Sequence, residues 1–176
     1  HPVDHRSFFI KRCIGLPGDT LSIEAKQVVI NGRPIPVPSR LCFDYHVVST
    51  INLTSDTLKA LGITQGGRIS GKNSWQLTLS DSSKKHLESL DFIEDIKPMK
   101  ISKGNYADYI FPYNKDFKWN IDYFGPLVIP KEGRTIPLTK TNLRWYGRVI
   151  SIYENHRLIV KDGKVLLDGE LANGYT

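Results

Sequence analysis

Short apolar runs interrupted by turn-forming residues predict β-strands in the N-terminal part of the chain. Residues 7–14 are rich in aromatic and β-branched side chains, and residues 21–23 and 27–30 continue this pattern. Asn31-Gly32 follows, a pair that favours the two-residue turn of a β-hairpin. Pro34, Pro36 and Pro38 lack backbone donors, so residues 34–38 are expected at a sheet edge or in an extended connection.

The pattern changes over residues 40–105, where strands alternate with short helices. Residues 45–48, 75–79 and 92–97 favour strands. Ser55-Asp56 is a typical cap for a helix that runs through Leu61, and residues 80–83 cap a second helix that carries Leu87 and Leu90. This alternation predicts a small α+β unit.

The last third of the chain again favours strands, joined to one helix. Residues 127–129 predict a strand, and Thr139 or Thr141 caps the helix after it. The helix carries one apolar stripe, formed by Leu143, Tyr146, Ile150 and Tyr153. Residues 158–160 and 165–167 flank Asp162-Gly163, a second hairpin signal.

Together these elements predict a mostly β fold with an inserted α+β subdomain. Residues 1–39 and 127–176 are expected to form a β-rich core portion. Residues 40–126 are expected to form the insertion, together with an aromatic-rich connector. The length of 176 residues fits one domain that carries such an insertion.

Composition argues against a nucleic-acid-binding protein, a membrane span within these residues and a metal site. The net charge is +6, but the basic residues are scattered and form no continuous block, so nucleic acid is not a predicted partner. The chain lacks the long apolar run of a membrane span. Its histidines are not clustered, so no metal is predicted. It has no Gly-rich phosphate loop, and no other cofactor is predicted. Cys13 and Cys42 are expected to be free thiols, Cys13 buried among apolar neighbours.

The aromatic residues of segment 105–126 allow two interpretations. Interleaved with lysines, they resemble a platform on which single-stranded nucleic acid stacks. Their spacing does not place them on one strand face, however, which favours a role in covering a loop-rich edge of the core.

Lys11 is the residue whose surroundings suggest chemistry. On a strand it shares a face with Phe9 and Cys13, and burial there would lower the pKa of its amine toward the range of a general base. The alternative is a lysine whose stem packs on apolar neighbours while its ammonium group reaches water. Composition alone favours this alternative.

The segment from Ile10 to Asp19 reads Ile-Lys-Arg-Cys-Ile-Gly-Leu-Pro-Gly-Asp. It resembles the lysine-bearing box of the type I signal peptidases, whose pattern is roughly Lys-Arg-x-x-Gly-Leu-Pro-Gly-Asp. The hairpin and the long insertion that follow are also similar to that family. The resemblance implies a serine endopeptidase with a Ser/Lys dyad, which removes signal peptides from exported precursors at the outer, periplasmic face of the bacterial cytoplasmic membrane.

The resemblance also implies roles for individual residues. Lys11 matches the family's general base, Phe9 an apolar residue that covers the lysine, and Ile10 a residue that lines the substrate cleft. The remaining matched positions are expected to shape and brace the turn after the lysine: Arg12, Gly15, Pro17, Gly18 and Asp19.

Two family segments do not occur in the sequence. One is the Ser-Met-x-Pro-type segment that carries the nucleophile, and the other is a later Gly-Asp-Asn-Arg box. We therefore expect residues 1–176 to be the middle of a signal peptidase, inactive alone, with the serine and any membrane anchor outside it. In such a piece Lys11 is expected to be partly exposed on a strand.

Two other functions remain open at this point. One is a non-catalytic module that binds a peptide or partner through segment 105–126 and the insertion. The other is a self-cleaving, repressor-type protease, which also uses a serine and a lysine. The Gly15–Asp19 segment favours the signal peptidase over the repressor-type protease.

Overall fold

The computed structural model describes residues 12–69, 71 and 73–176, and this part of the chain is mostly β. Two compact units are present: residues 1–34 with 103–176, called the core unit here, and residues 35–102, called the inserted unit. The strands of the core unit are β1 Thr20–Glu24, β2 Gln27–Ile30, β3 Arg33–Pro34, β8 Tyr123–Val128, β9 Ile136–Pro137, β10 Leu158–Lys161, β11 Lys164–Leu167, β12 Glu170–Leu171 and β13 Gly174–Tyr175. Its helix is α3, Lys140–Arg148. The inserted unit contains β4 Cys42–Ser49, α1 Ser55–Ala60, β5 Gly66–Arg68, β6 Ser74–Ser80, α2 Asp81–Glu88 and β7 Ile93–Pro98.

The first sheet of the core unit is antiparallel, with the order β3-β2-β1-β8. The predicted Asn31-Gly32 turn joins β2 to β3, with φ of 51° and 77° at its two residues, which is the geometry that an Asn-Gly pair tolerates best. The strand β3 is at the edge of the sheet, as expected for a strand that contains Pro34. The sequence predicts a strand over residues 7–14. Residues 7–11 lie outside the described residues, and residues 12–14, which are described, do not form a strand. That part of the expectation is wrong: among the described residues, no strand pairs with residues 12–14.

The helix of the core unit begins as predicted but does not continue as a regular α-helix. Thr139 caps α3 by accepting a hydrogen bond from the N–H of Asn142. The chain then forms a π-helical turn over Val149–Tyr153. Ile150 is 1% exposed whereas Tyr153 is 75% exposed. The expected four-residue stripe is therefore wrong at its last member, because the wider π turn rotates Tyr153 off the buried face.

A small apolar core lies beneath α3. Its buried members are Leu138, Tyr146, Ile150 and Val165. Val165 comes from the hairpin β10–β11, which turns at Asp162-Gly163 as the sequence predicts, with φ of 50° and 73°. This hairpin belongs to a three-stranded sheet of order β10-β11-β12.

The aromatic segment after residue 105 packs within the core unit. Trp119 lies 4.6 Å from Phe124 and 5.9 Å from Trp145 between ring centroids, and Phe117 lies 5.6 Å from Trp145. The fully buried Asn120 stabilises this loop. Its Oδ1 accepts hydrogen bonds from the N–H groups of Asp122 and of Tyr123, the first residue of β8. These rings pack against one another and against α3, as expected for aromatic residues that cover an edge of the core.

The inserted unit is a four-stranded antiparallel sheet of order β5-β6-β4-β7, packed against α1 and α2. Trp75, Leu77 and Leu79 alternate along β6 and are all buried, as the sequence predicts. Ser80 caps α2 as predicted. The cap of α1 is Thr54 rather than Ser55, because the Thr54 hydroxyl accepts from the N–H of Thr57.

The two compact units divide at Pro34 and Ser102. The divisions predicted from the sequence are at residues 39 and 126 instead. The aromatic segment, predicted to belong with the insertion, lies in the core unit. The assignment of a catalytic portion and an insertion by function stays a prediction.

Candidate active site

The described part of the lysine-bearing segment folds into a tight turn. The N–H of Asp19 donates to the carbonyl oxygen of Leu16 at 2.9 Å, which closes a four-residue β-turn. Pro17 is its second residue and Gly18, with φ of 95°, its third. A proline followed by a residue with positive φ is the requirement of a type II turn, so the Pro-Gly pair supplies the backbone geometry that this turn needs.

The Asp19 side chain stabilises the same turn through further hydrogen bonds. Its Oδ2 accepts a hydrogen bond from the N–H of Leu16 at 2.8 Å. Its Oδ1 accepts from the Nδ2 of Asn31 at 2.7 Å. The bond from Leu16 and then the bond from Asn31 hold the pKa of the Asp19 carboxyl below its ordinary value of 3.8. The carboxylate is therefore ionised at neutral pH and acts as an acceptor on both oxygens.

Asn31 connects this turn to the β2–β3 hairpin. Its Oδ1 accepts from the N–H of Thr20 at 2.8 Å, while its own N–H donates to the carbonyl oxygen of Thr20 at 2.9 Å. The side-chain amide therefore has one hydrogen bond at each end, to Asp19 and to Thr20.

The residue that follows β8 holds the opposite side of the turn. The N–H of Gly18 donates to the carbonyl oxygen of Ile129 at 2.9 Å, and the N–H of Ile129 donates to the carbonyl oxygen of Asp19 at 2.8 Å. A Cβ at Gly15 would lie 2.5 Å from the Cδ1 of Ile129, so glycine at this position lets the Ile129 side chain pack closely. The turn is thus fixed between Asn31 on one side and Ile129 on the other.

Comparison with known proteins assigns the chain to a family. The family model described as signal peptidase, peptidase S26, matches residues 1–106, which is more than half of the 176 residues. The chain belongs to this signal peptidase family. No curated protein and no solved structure matches the chain.

The family match confirms the resemblance of the lysine-bearing segment to the signal peptidases. The matched range includes Lys11 and the whole Leu16–Asp19 turn, together with Asn31. Ile129 lies beyond it. The turn of this signal peptidase family member is therefore held partly by a segment that the family model does not cover.

The structure brings some of the predicted site residues together. Gly15, Pro17, Gly18 and Asp19 form the turn and its contacts. Arg12 is described and exposed, outside any strand. Lys11, Phe9 and Ile10 lie outside the described residues, so their roles, and the expected exposure of Lys11, stay predictions.

The two cysteines are free and exposed. The expectation that Cys13 is buried among apolar residues is wrong, because its apolar neighbours Ile14 and Leu16 are themselves exposed, at 40% and 65%, and none of the described strands pairs with this segment. The only hydrogen bond found for Cys13 among the described residues runs from its Sγ to the carbonyl oxygen of Gly15.

Sequence reasoning missed both residues that hold the turn. The sequence pattern identifies Asn31 only as part of a hairpin turn, although an asparagine side chain in a turn can also donate and accept hydrogen bonds. Nothing in the sequence marks Ile129, because its contribution is made by backbone atoms.

Within the described part of the chain, no group of His, Cys, Asp and Glu side chains is arranged to hold a metal ion. None of the helices found there combines the length and apolarity that a membrane crossing requires.

Proposed function

We propose that this chain is part of the catalytic domain of a type I signal peptidase, a serine endopeptidase that removes N-terminal signal peptides from exported precursor proteins. The observation that carries this proposal is a turn held at 2.7–2.9 Å by Asp19, Asn31 and Ile129 in a member of the signal peptidase family. In the sequence, Lys11 precedes the first residue of this turn, Leu16, by five positions. A general base must be held at a fixed position relative to the hydroxyl that it deprotonates, and a rigid turn close to it in the sequence helps to hold it there.

Lys11 is proposed as the general base. As the serine Oγ attacks the scissile carbonyl carbon, the neutral Lys11 amine accepts the hydroxyl proton, and it then gives that proton to the leaving amine nitrogen as the peptide bond breaks. Water attacks the resulting acyl-enzyme in a second step, again with the lysine as base. The serine is proposed to come from a segment outside residues 1–176, so the chain by itself is expected to be inactive.

The neighbouring residues are proposed to support this chemistry. Phe9 covers the lysine stem and keeps water from the amine, since desolvation favours its neutral form. Ile10 lines the cleft that receives the substrate. Arg12 and the turn residues set the path of the chain after Lys11.

The proposed partners are the signal peptides of exported precursors. The proposed site of action is the outer, periplasmic face of the bacterial cytoplasmic membrane, reached through membrane segments outside this sequence. No cofactor is needed for a dyad of this kind.

The test is a substitution of Lys11 in the membrane enzyme that contains this sequence. We expect Lys11→Ala to lower the rate of precursor cleavage by at least the roughly 10² to 10⁴ typical of losing a general base. The matched control is Lys97→Ala, which removes a strand lysine whose side chain is 72% exposed and paired with Asp95. Precursor processing is measured by the mobility shift of the cleaved product.

The control should leave the rate unchanged. If Lys11→Ala also processes precursor at the wild-type rate, Lys11 is a lysine that merely packs its stem and extends to water, and the proposed mechanism is wrong.

A further inference from the structure

The side chain of Asn31 is the link between the lysine-bearing segment and the first sheet. Its Nδ2 donates to Asp19 Oδ1 at 2.7 Å and its Oδ1 accepts from the N–H of Thr20 at 2.8 Å. The backbone of Asn31 has φ of 51°, a conformation that asparagine and glycine adopt with little strain. The amide is thereby aimed back from the β2–β3 turn onto the Leu16–Asp19 turn.

In the described part of the chain, the Leu16–Asp19 turn is the first hydrogen-bonded turn after Lys11 in the sequence. Residues 12–14 are exposed and belong to no strand. Among the residues that the structure describes, the first backbone hydrogen bonds that tie this part of the chain to the rest of the core unit are those between Gly18, Asp19 and Ile129. Whatever shifts the turn therefore shifts the end of the segment that carries Lys11.

We propose that Asn31 is a positioning residue for Lys11, acting through Asp19 and the Leu16–Asp19 turn. This inference rests on the proposed function, in which Lys11 is the general base. Asn31 itself touches neither the substrate nor the reacting atoms. Its part is to keep the turn in one place, so that the amine of Lys11 meets the serine hydroxyl.

An amide is the group that this position requires. Asp19 offers an ionised oxygen that needs a donor, and the N–H of Thr20 needs an acceptor. Asparagine supplies both from one side chain. A carboxylate at position 31 would face the Asp19 carboxylate, whereas glycine would leave both groups without this partner.

The decisive variant is Asn31→Gly in the membrane enzyme that contains this sequence. Glycine keeps the positive φ without strain, so only the side-chain hydrogen bonds are lost. The matched control is Asn73→Gly in the inserted unit. Asn73 also has a positive φ, 57°, and its Nδ2 donates to the carbonyl oxygen of Thr50 at 3.1 Å.

A second variant exchanges the two side chains, Asp19→Asn together with Asn31→Asp. In the exchanged pair, the amide oxygen of residue 19 accepts from Leu16, its Nδ2 donates to the carboxylate of residue 31, and the other carboxylate oxygen accepts from Thr20. All three hydrogen bonds are thus possible again, with the negative charge moved from one turn to the other.

We expect Asn31→Gly to lower kcat by about 10- to 100-fold, since a displacement of about 1 Å costs up to about 100-fold, and to leave KM nearly unchanged. Asn73→Gly should leave both constants unchanged. The exchanged pair should recover kcat to near the wild-type value. Steady-state cleavage of a precursor peptide and urea unfolding are measured for each variant.

The proposal is overturned if Asn31→Gly keeps the wild-type kcat, or if the exchanged pair stays as slow as Asn31→Gly. It is also overturned if Asn73→Gly loses as much kcat at an equal loss of stability, because the effect is then general destabilisation. The proposed function fails separately, through full activity of Lys11→Ala, and none of the Asn31 outcomes affects that result.

Discussion

Replacing Gly66 by alanine should strongly destabilise the inserted unit. Gly66 lies opposite Leu77 in the β5–β6 pair and has φ of 125°. An alanine Cβ there would press into the carbonyl oxygen of Gln76 and lie 2.8 Å from the Cα of Leu77. Both obstacles are backbone atoms of β6, the strand whose alternate side chains fill the core of the unit, so a side-chain rotation cannot relieve the contact.

The expected loss has two parts. A non-glycine residue in this region of φ costs about 1–3 kcal/mol, and the backbone shift that makes room for the methyl group costs about 1–3 kcal/mol more. At about 0.05–0.15 kcal/mol per residue, a unit of about seventy residues has a total stability of about 3.5–10 kcal/mol. The substitution therefore removes a large share of the free energy of unfolding.

The measurement is a urea titration followed by the indole N–H resonance of Trp75. Trp75 is the tryptophan of the inserted unit, and its Nε1 donates to the hydroxyl of the buried Ser49. With an m value of about 1 kcal/mol per molar urea, Gly66→Ala should lower the midpoint by about 2 M or more. Gly67→Ala is the control, because a Cβ on the adjacent glycine meets no atom within 4 Å.

Equal midpoints for Gly66→Ala, Gly67→Ala and the unsubstituted chain would show that β5 does not approach β6 as closely as the structure has it. A large loss in Gly67→Ala alone would mean that the two glycines have exchanged faces, which a register shift of one residue would produce.

Two further predictions concern the core unit. Ile150→Ala should cost about 2–5 kcal/mol of stability, while Tyr153→Ala should change it by less than about 0.5 kcal/mol, as urea unfolding followed by the tryptophans of this unit would show. Asp168 accepts hydrogen bonds first from the N–H of Arg157 and then from the His156 side chain, which lower the pKa of its carboxyl. Because this pKa is lower in the folded state, the stabilisation is complete above the ordinary value of 3.8 and is lost as the pH falls through the folded value. We therefore expect the urea unfolding midpoint to fall less steeply with decreasing pH in Asp168→Asn than in the unsubstituted chain. An equally steep fall in the two proteins would contradict this prediction.

The turns of the chain show which structural features a sequence can predict. Asn31-Gly32 and Asp162-Gly163 were predicted because these residue types tolerate positive φ by themselves. The β1–β2 turn is formed by Ala25 and Lys26, with φ of 51° and 74°, and nothing in that pair predicts a turn. Its geometry depends on a distant residue. The N–H of Lys26 donates to the carbonyl oxygen of Asp122 at 3.0 Å, and its Nζ lies 3.4 Å from the Asp122 carboxylate.

The helix after β9 shows a different limit. Its stripe was predicted by counting positions at 3.6 residues per turn, which is correct as far as Ile150. The π turn at Val149–Tyr153 breaks this period, so the count fails at Tyr153. At the candidate site, likewise, the Pro17-Gly18 turn was predictable from local chemistry, whereas its attachment to Asn31 and Ile129 depends on sheet pairing that no local pattern contains.

The course of the chain explains why the turn at the candidate site depends on residues from both sides of the inserted unit. The inserted unit begins directly after β3, an exposed edge strand, and ends at Ser102 before the chain re-enters the core unit. An insertion at such a point breaks no central ladder, and the entropy of closing a longer loop grows only slowly with its length. The core unit can therefore pair β8 with β1 across a long stretch of intervening sequence. Since the Ile129 contacts continue that pairing beyond β8, the turn after Lys11 is complete only when the chain on the far side of the insertion has folded against β1.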